Sequence, residues 1–254
     1  MNLDRPHRRE KLGMLVGACL APITGALSSA RRARMFHPDG LVFQATAEMC
    51  ATAPDLARVG ERLAGTALVR FSSALWRGNH EWPDVLGAAI RFGWSEAGSA
   101  AASQQDLLLA TIRFPWTMPL APLTTNFRSF LWNHYHAVSP FEVDGVGRVK
   151  VRLRSPRIDN GTSQSRALHL LQAVEAGKAS FEVQFRRLNA APWGRRWEPV
   201  ARLTLIAPLQ IDQAALRFSP FRAGAGVSPV GFVHALRLAA YAASQAARPT
   251  RQAD

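Results

Sequence analysis

The sequence has few of the residues that build metal knuckles or disulfide frameworks. Only two of its 254 residues are cysteine, Cys19 and Cys50. Their positions exclude a C-x-x-C pair and their number excludes a zinc knuckle and a disulfide framework, while the redox compartment stays open. The chain also lacks a P-loop, a G-x-G-x-x-G and a G-x-S-x-G motif. No common signature of nucleotide binding or serine hydrolysis is therefore present.

Acidic residues and lysine are scarce. The chain has 18 Asp and Glu against 31 Lys and Arg, a formal net charge of +13. Only three of the cations are lysine, so the excess is arginine. Such a charge favours anionic partners: nucleic acid, an acidic membrane surface or a carboxylate ligand. The simpler interpretation is a solvated, arginine-rich surface. A nucleic-acid-binding barrel is a weaker alternative, since the sequence contains no recognised nucleic-acid motif.

Long uninterrupted apolar runs are also missing. Residues 12–27 are apolar and follow basic residues, but Pro22 and Gly25 interrupt them. The run is too short to span a bilayer. We expect residues 1–33 to form a helical segment that packs on the domain, in a cytoplasmic protein. The alternative is a cleaved secretory signal and a periplasmic location.

Seven segments have strand character, with β-branched residues or alternating apolar and polar positions. They are residues 41–46, 67–71, 88–92, 106–112, 149–154, 181–186 and 201–205. So many strands favour an antiparallel β-barrel. Helical spacing predicts a helix over 167–176 and another from Pro229 to Arg248. We expect an α+β fold with a single domain over 34–248 and a disordered tail over 249–254.

Tyrosine is rare, and one of the two tyrosines lies in a distinctive pattern. Tyr241 follows Arg237 by four residues and precedes Arg248 by seven, so a helix places all three on one face. A neighbouring guanidinium favours the phenolate, and a tyrosinate can ligate haem iron. On spacing alone, an ordinary surface helix is the simpler interpretation.

Four blocks resemble those of small catalase-related haem proteins. Residues 34–40, Arg34-Met-Phe-His37-Pro-Asp-Gly40, are similar to the catalase signature R-x-x-H-x-x-G. Residues 67–73 resemble the V-R-F-S-T block, and residues 84–92 resemble D-P-R-G-F-A-V-K-F. Residues 228–248 resemble the C-terminal haem-ligand helix with its R-x-x-x-Y. The blocks follow the family's order along most of the chain.

The resemblance implies a catalase-type barrel with flanking helices and haem b between the barrel and the C-terminal helix. It implies Tyr241 as the iron ligand, with Arg237 beside it, and a distal His37 that Ser72 orients. The propionates would be held by three arginines: Arg34, Arg70 and Arg248. The implied function is that of a haem-dependent oxidoreductase acting on hydrogen peroxide or organic hydroperoxides, with a small-molecule reductant.

One position departs from the family pattern. The family's distal asparagine corresponds to Ala110 in this sequence. The next residue, Thr111, is polar, and we expect it to be catalytic together with His37 and Ser72. Alanine cannot donate a hydrogen bond to peroxide. We therefore expect peroxidase-type chemistry with weak catalase activity. The alternative is a catalase-derived protein that binds haem or a lipid without catalysis.

Other partners and sites follow from the remaining residues. We expect a homodimer, peripheral contact with an anionic membrane surface and no specific nucleic acid. On a strand, His134 and His136 share a face, but no third metal ligand is near them in the sequence. Glu81 and Asp84 are interpreted as loop residues because nothing in the sequence sets their separation.

Overall fold

The computed structural model describes residues 40–74, 81–96, 103–159, 165–189, 191, 196–213 and 216–231. The strands are β1 (Gly40–Met49), β2 (Gly65–Ser73), β3 (Leu86–Phe92), β4 (Gln105–Ala110), β5 (His134–His136), β6 (Phe141–Val143), β7 (Gly147–Arg154), β8 (Ser180–Arg187), β9 (Glu198–Pro208) and β10 (Val227–Pro229). The helices are α1 (Pro54–Leu63), α2 (Ala121–Thr124) and α3 (Arg166–Glu175), with a 3₁₀ helix at Pro115–Leu120. None of the helices in these ranges is long and apolar enough to cross a bilayer.

Eight of the strands close into an antiparallel barrel. Their order is β7-β5-β4-β3-β2-β1-β9-β8, and β8 pairs again with β7. Closure leaves no exposed edge among these eight strands. The short strands β6 and β10 extend the sheet beside the first residues of β7. The α+β fold and the antiparallel barrel expected from the sequence are both confirmed.

Alternate residues of each strand face the barrel interior. Phe71 of β2 lies at its centre, with its ring centroid 5.1 Å from that of Phe181, 5.7 Å from that of Tyr135 and 5.6 Å from that of Phe130. Arg70 and the other even-numbered residues of β2 face outward, because side chains alternate along a strand. Their outer face is covered in part by Phe218 and three apolar neighbours, Leu209, Ile211 and Leu216.

The three helices lie outside the barrel wall. Helix α1 begins at Pro54, a residue suited to the first helical turn because it has no N–H to leave unpaired. Its buried residues, Leu56, Val59 and Leu63, join the main core beside β1 and β9. Helix α3 begins after Ser165, whose side chain accepts a hydrogen bond from Leu168 N.

All seven predicted strands and the helix over 167–176 are confirmed, with bounds that differ by a few residues. The predicted start of the C-terminal helix at Pro229 is wrong. Pro229 ends β10, which pairs with β6, and Val230 N donates to Pro140 O at 2.9 Å. Gly231 follows with φ +94°, outside helical geometry. The N-terminal segment, the rest of that helix and the tail lie outside the described residues.

Candidate functional site

A transverse row of small residues crosses the outer face of the barrel. Gly40 pairs with Ser72, Ser72 with Gly87, Gly87 with Ala110, and Ala110 with His136. Residues paired directly across antiparallel strands place their side chains on the same face. The first four members, which we call the Ser72 row, carry only hydrogens, a hydroxymethyl and a methyl group. The barrel wall is therefore flat across four neighbouring strands.

A buried arginine lies next to the Ser72 row. Arg70 is two residues before Ser72 and faces the same side, and only 3% of it is exposed. Its Nε donates to Gln213 Oε1 at 3.1 Å, and Gln213 Nε2 donates to Gly40 O. Gln213 thus fastens the loop after β9 to the start of β1 and orients the guanidinium. A positive charge is held beside the small residues.

Gly40 allows this close packing. A Cβ on Gly40 would lie 2.5 Å from Phe71 O and 2.9 Å from Arg70 Cζ, closer than van der Waals contact allows. Glycine at this position therefore lets β1 approach both the backbone and the arginine of β2. Close packing therefore explains why the last residue of the R-x-x-H-x-x-G motif, Gly40, is a glycine in this chain.

Thr111 is held at the end of β4. Its Oγ1 accepts hydrogen bonds from Leu86 N at 3.1 Å and from Thr125 Oγ1 at 2.8 Å. Its own N donates to Leu86 O at 2.9 Å. These bonds connect Thr111 to the start of β3 and to the residue that follows α2, so they hold its side chain against the first residue of β3.

The structure thus describes three of the predicted site residues, and it places Arg70 and Ser72 on one face. The other five, Arg34, His37, Arg237, Tyr241 and Arg248, lie outside the described residues and stay predictions. Ala110, which stands where the family has its distal asparagine, belongs to the Ser72 row. Only Gly87 lies between it and Ser72 in that row.

His134 and His136 share the outer face of β5, as strand alternation predicted, while Tyr135 points into the core. Burial lowers the pKa of His136 to about 4, with Arg152 as the next cause. Burial and the nearby Arg152 also lower the pKa of His134 to about 4. Both imidazoles are neutral at pH 7. Within the described ranges, no group of three or more His, Cys, Asp or Glu side chains could hold a metal ion.

Sequence reasoning missed a buried arginine at the start of α3. Arg166 Nη1 donates to Phe127 O at 2.8 Å and Nη2 donates to Ser73 Oγ, while its backbone N donates to Glu81 Oε1. Burial lowers the pKa of Arg166, an effect that Glu81 and Asp84 oppose. These contacts join segments distant in sequence, so no local pattern could reveal them. Glu81, in the loop before β3, thus accepts a hydrogen bond from the backbone N of Arg166 at the start of α3.

Comparisons with known proteins identify the fold but not a family. No protein-family model and no curated protein matches the sequence. The crystal structure of a fungal catalase matches the structure with a TM-score of 0.58 at 14% sequence identity. The match covers 85% of this chain and 59% of the catalase, so this chain spans well under two thirds of that protein's length. The closed eight-stranded barrel with its few helices has the catalase-type α+β fold.

Proposed function

We propose that this protein binds haem b and acts as a haem-dependent oxidoreductase on hydrogen peroxide or organic hydroperoxides. The proposal rests on one observation above all. Arg70 and Ser72, which resemble a propionate-binding arginine and the serine that orients a distal histidine, lie buried on one face of a catalase-type barrel.

The described residues fit a flat, doubly anionic group such as haem b. Ser72, Gly87 and Ala110 present no bulky side chain over three strands, the guanidinium of Arg70 lies beside Gly40 at the edge of the row, and neighbouring strands are about 4.8 Å apart. A planar macrocycle can therefore lie close to this wall. The buried guanidinium of Arg70 at its edge suits a carboxylate, because arginine forms charge-assisted, bidentate bonds with carboxylates.

The distal histidine of the proposal can reach this wall. His37 precedes Gly40 by three residues, and three residues span at most about 11 Å. Gly40 is the cross-strand partner of Ser72. The chain length therefore permits a hydrogen bond between the imidazole of His37 and the Ser72 hydroxyl, which would fix the tautomer and the ring orientation.

In the proposed site, each residue has a distinct task. When bound, haem supplies a redox-active iron at which a peroxide can be reduced. Tyr241 would hold the iron through its phenolate oxygen, and Arg237 would favour that phenolate by its positive charge. His37 would take the proton from one peroxide oxygen and return it to the other. Arg34, Arg70 and Arg248 would bind the propionates.

The alanine at 110 limits the activity that we propose. It lies in the Ser72 row, where a side-chain amide could have donated to peroxide, and a methyl group donates nothing. We therefore propose peroxidase-type turnover with weak catalase activity. The same observation favours a second candidate, a catalase-derived protein that carries haem or a lipid without catalysis.

An absorption spectrum tests the proposal most directly. The full chain is expressed with added haem as wild type, Tyr241→Phe and Tyr135→Phe. Tyr135 is the matched control, since it is the other tyrosine of the chain. It is fully buried in the barrel, its hydroxyl donates to Phe130 O at 2.8 Å, and burial raises its pKa well above 10. It cannot serve as a phenolate ligand.

We expect a Soret band with high-spin features in the wild type and in Tyr135→Phe, and its loss or shift in Tyr241→Phe. A wild type that takes up no haem would refute the proposal. A haem-loaded wild type that turns over no hydroperoxide faster than free haem does would favour the second candidate.

A further inference from the structure

An exposed apolar loop lies between β4 and β5. It consists of the 3₁₀ helix Pro115–Leu120 and helix α2, Ala121–Thr124. Trp116 is 74% exposed and Leu123 is 78% exposed, and Met118 and Leu120 are more than half exposed. Scattered apolar residues are ordinary on a protein surface, but four large ones within eight positions form a patch that suits an apolar partner.

A cationic face lies on the outer side of β7 and β8, with Arg113 at the end of β4. We define it by Arg113, Lys150, Arg152 and Arg186. Lys150 is the direct cross-strand partner of Arg186. The guanidinium carbons of Arg152 and Arg186 lie 4.3 Å and 5.0 Å from the ring centroid of Trp197. Like charges directly opposite on a sheet repel, so this face carries a concentrated positive potential.

Phe114 joins the apolar loop to the cationic face. Lys150 Nζ lies 4.9 Å and Arg113 Cζ lies 5.4 Å from the centroid of its ring. The same ring stacks on Trp116, with a centroid separation of 5.0 Å and an interplanar angle of 9°. The two features are therefore adjacent parts of one surface.

The titration behaviour of this face agrees with its geometry. Burial and the neighbouring cations lower the pKa of Lys150 and lower that of Arg152 to about 10. The nearby imidazole of His136 is neutral at pH 7 and adds no positive charge, since its pKa is about 4. Glu182, which pairs with Arg154 at 3.2 Å, opposes the lowering at Arg152. An anionic partner would relieve the repulsion among these cations.

We propose that this surface docks onto an anionic lipid bilayer, with the apolar loop in the interface and the cationic face against the headgroups. A bilayer offers both chemistries at once: Trp, Leu and Met side chains enter the headgroup and acyl boundary, and Lys and Arg bind anionic headgroups. Nucleic acid would satisfy the cations but leave Leu120 and Leu123 in water. The proposal does not depend on haem.

Vesicle sedimentation tests the proposal with the full chain. The probes are vesicles of phosphatidylcholine alone and of phosphatidylcholine with phosphatidylglycerol. Two variants address the two features, Leu123→Ser and Lys150→Glu. Each has a matched control elsewhere: Ile206→Ser, at a site 53% exposed on β9, and Lys178→Glu, in the exposed turn after α3. Circular dichroism establishes that all four variants fold.

We expect binding to the anionic vesicles that weakens as salt is raised, because exposed charges are screened. Lys150→Glu should weaken it about tenfold more than Lys178→Glu, although the net charge of the two variants is the same. Leu123→Ser should weaken it severalfold, and Ile206→Ser should not. When salt is raised, Leu123→Ser should lose a larger share of its vesicle binding than any other variant. Salt screens the charge contacts but not the apolar insertion, which this variant lacks.

Three results would overturn the proposal. One is the absence of vesicle binding. Another is equal binding by variants and controls, which would mean a nonspecific effect of net charge. The third is a dimer in sedimentation velocity that Leu123→Ser dissociates while vesicle binding is unchanged, because a second copy of this chain would then cover the apolar loop.

Discussion

Ser72 and Ala110 lie on the same outer face of the barrel, each paired directly with Gly87 on the strand between them. Gly87, the residue between them on β3, carries no side chain of its own. The two residues are 38 positions apart in the sequence, and the antiparallel register of β2, β3 and β4 brings them together. A polar side chain at 110 would therefore face the same space as Ser72.

The first prediction follows from this arrangement. Ala110→Asn should raise the turnover of hydrogen peroxide by about 10²- to 10³-fold, because one positioned donor contributes about 2.7–4 kcal/mol to transition-state stabilisation. The measurement is oxygen release by the haem-loaded protein at saturating peroxide.

Ala207→Asn is the matched control for this substitution. Ala207 is also half-buried on a strand of the barrel, and it pairs with Gln44 rather than with the Ser72 row. If Ala110→Asn and Ala207→Asn change turnover equally, or if neither does, Ala110 does not line the reaction site.

A second prediction concerns the stability of the protein between neutral and mildly acidic pH. The pKa of His136 in the folded protein is about 4, below the ordinary value of 6.5, and the same holds for His134. The unfolded chain therefore binds protons between pH 6.5 and 4 that the folded protein does not bind. The free energy of unfolding should decrease as the pH falls through this window.

Urea unfolding from pH 7 to pH 4 measures this effect. The decrease should be smaller in His136→Gln, which removes one of the groups. In the NMR titration, Arg152→Gln should raise the pKa of His136, since Arg152 is the strongest of the neighbouring charges that lower it. An imidazole of His136 that titrates near 6.5 in the wild type would contradict the prediction.

The barrel could be predicted from the sequence because its strands carry a local signal. In β7 the residues alternate between buried aliphatics and outward cations, and the bounds of every predicted strand lie within three residues of those of an observed strand. Pro229 misled the prediction, since proline suits the first turn of a helix and also the last position of a short strand such as β10. Only the pairing of β10 with β6 shows that Pro229 ends a strand and does not begin a helix.

The surroundings of the candidate site were less predictable. A resemblance within one strand was enough to propose Arg70 and Ser72 as site residues, but the contact of Arg70 with Gln213 spans 143 positions. The side chain of Arg166 reaches Ser73 over 93 positions. Such contacts depend on how loops close over the barrel, and no spacing within the chain encodes them.

A third prediction concerns the buried ion pair between β3 and β4. Arg91 Nε and Nη2 donate to Asp106 Oδ1 and Oδ2 at 2.9 Å and 3.0 Å, and Ser219 N donates to Oδ2 at 2.8 Å. Asp106→Asn should lower the free energy of unfolding by about 3–5 kcal/mol, because it leaves a buried guanidinium without a counter-charge.

Urea unfolding measures this loss, with Glu182→Gln as the control. Glu182 pairs with Arg154 at 3.2 Å, but the two side chains are 31% and 50% exposed, so its loss should cost less than about 1 kcal/mol. Equal effects of the two substitutions would mean that water reaches Asp106 in solution.

The last prediction concerns an ion pair that joins α1 to β8. Its contribution to stability is lost in a more acidic pH range than that of the histidines. Arg187 Nη1 and Nη2 contact Asp55 Oδ2 and Oδ1 at 2.5 Å and 3.0 Å, and the hydrogen bonds from Arg187 lower the pKa of Asp55 below 3.8. The stabilisation is complete above that value and is lost as the pH falls through the lower pKa of the folded state. At pH 7, Asp55→Asn should therefore be less stable than the wild type by about 1 kcal/mol.

This difference should disappear as the pH falls well below 3.8, because the wild-type carboxylate becomes protonated and neutral like the amide. Urea unfolding of both proteins at pH 7 and at pH 2.5 measures it, and Glu48→Gln, at an exposed position of β1, is the matched control for replacing a carboxylate by an amide. A gap that persists at the lower pH would contradict the prediction, because it would mean that Asn at position 55 destabilises the protein for a reason other than the loss of the negative charge beside Arg187.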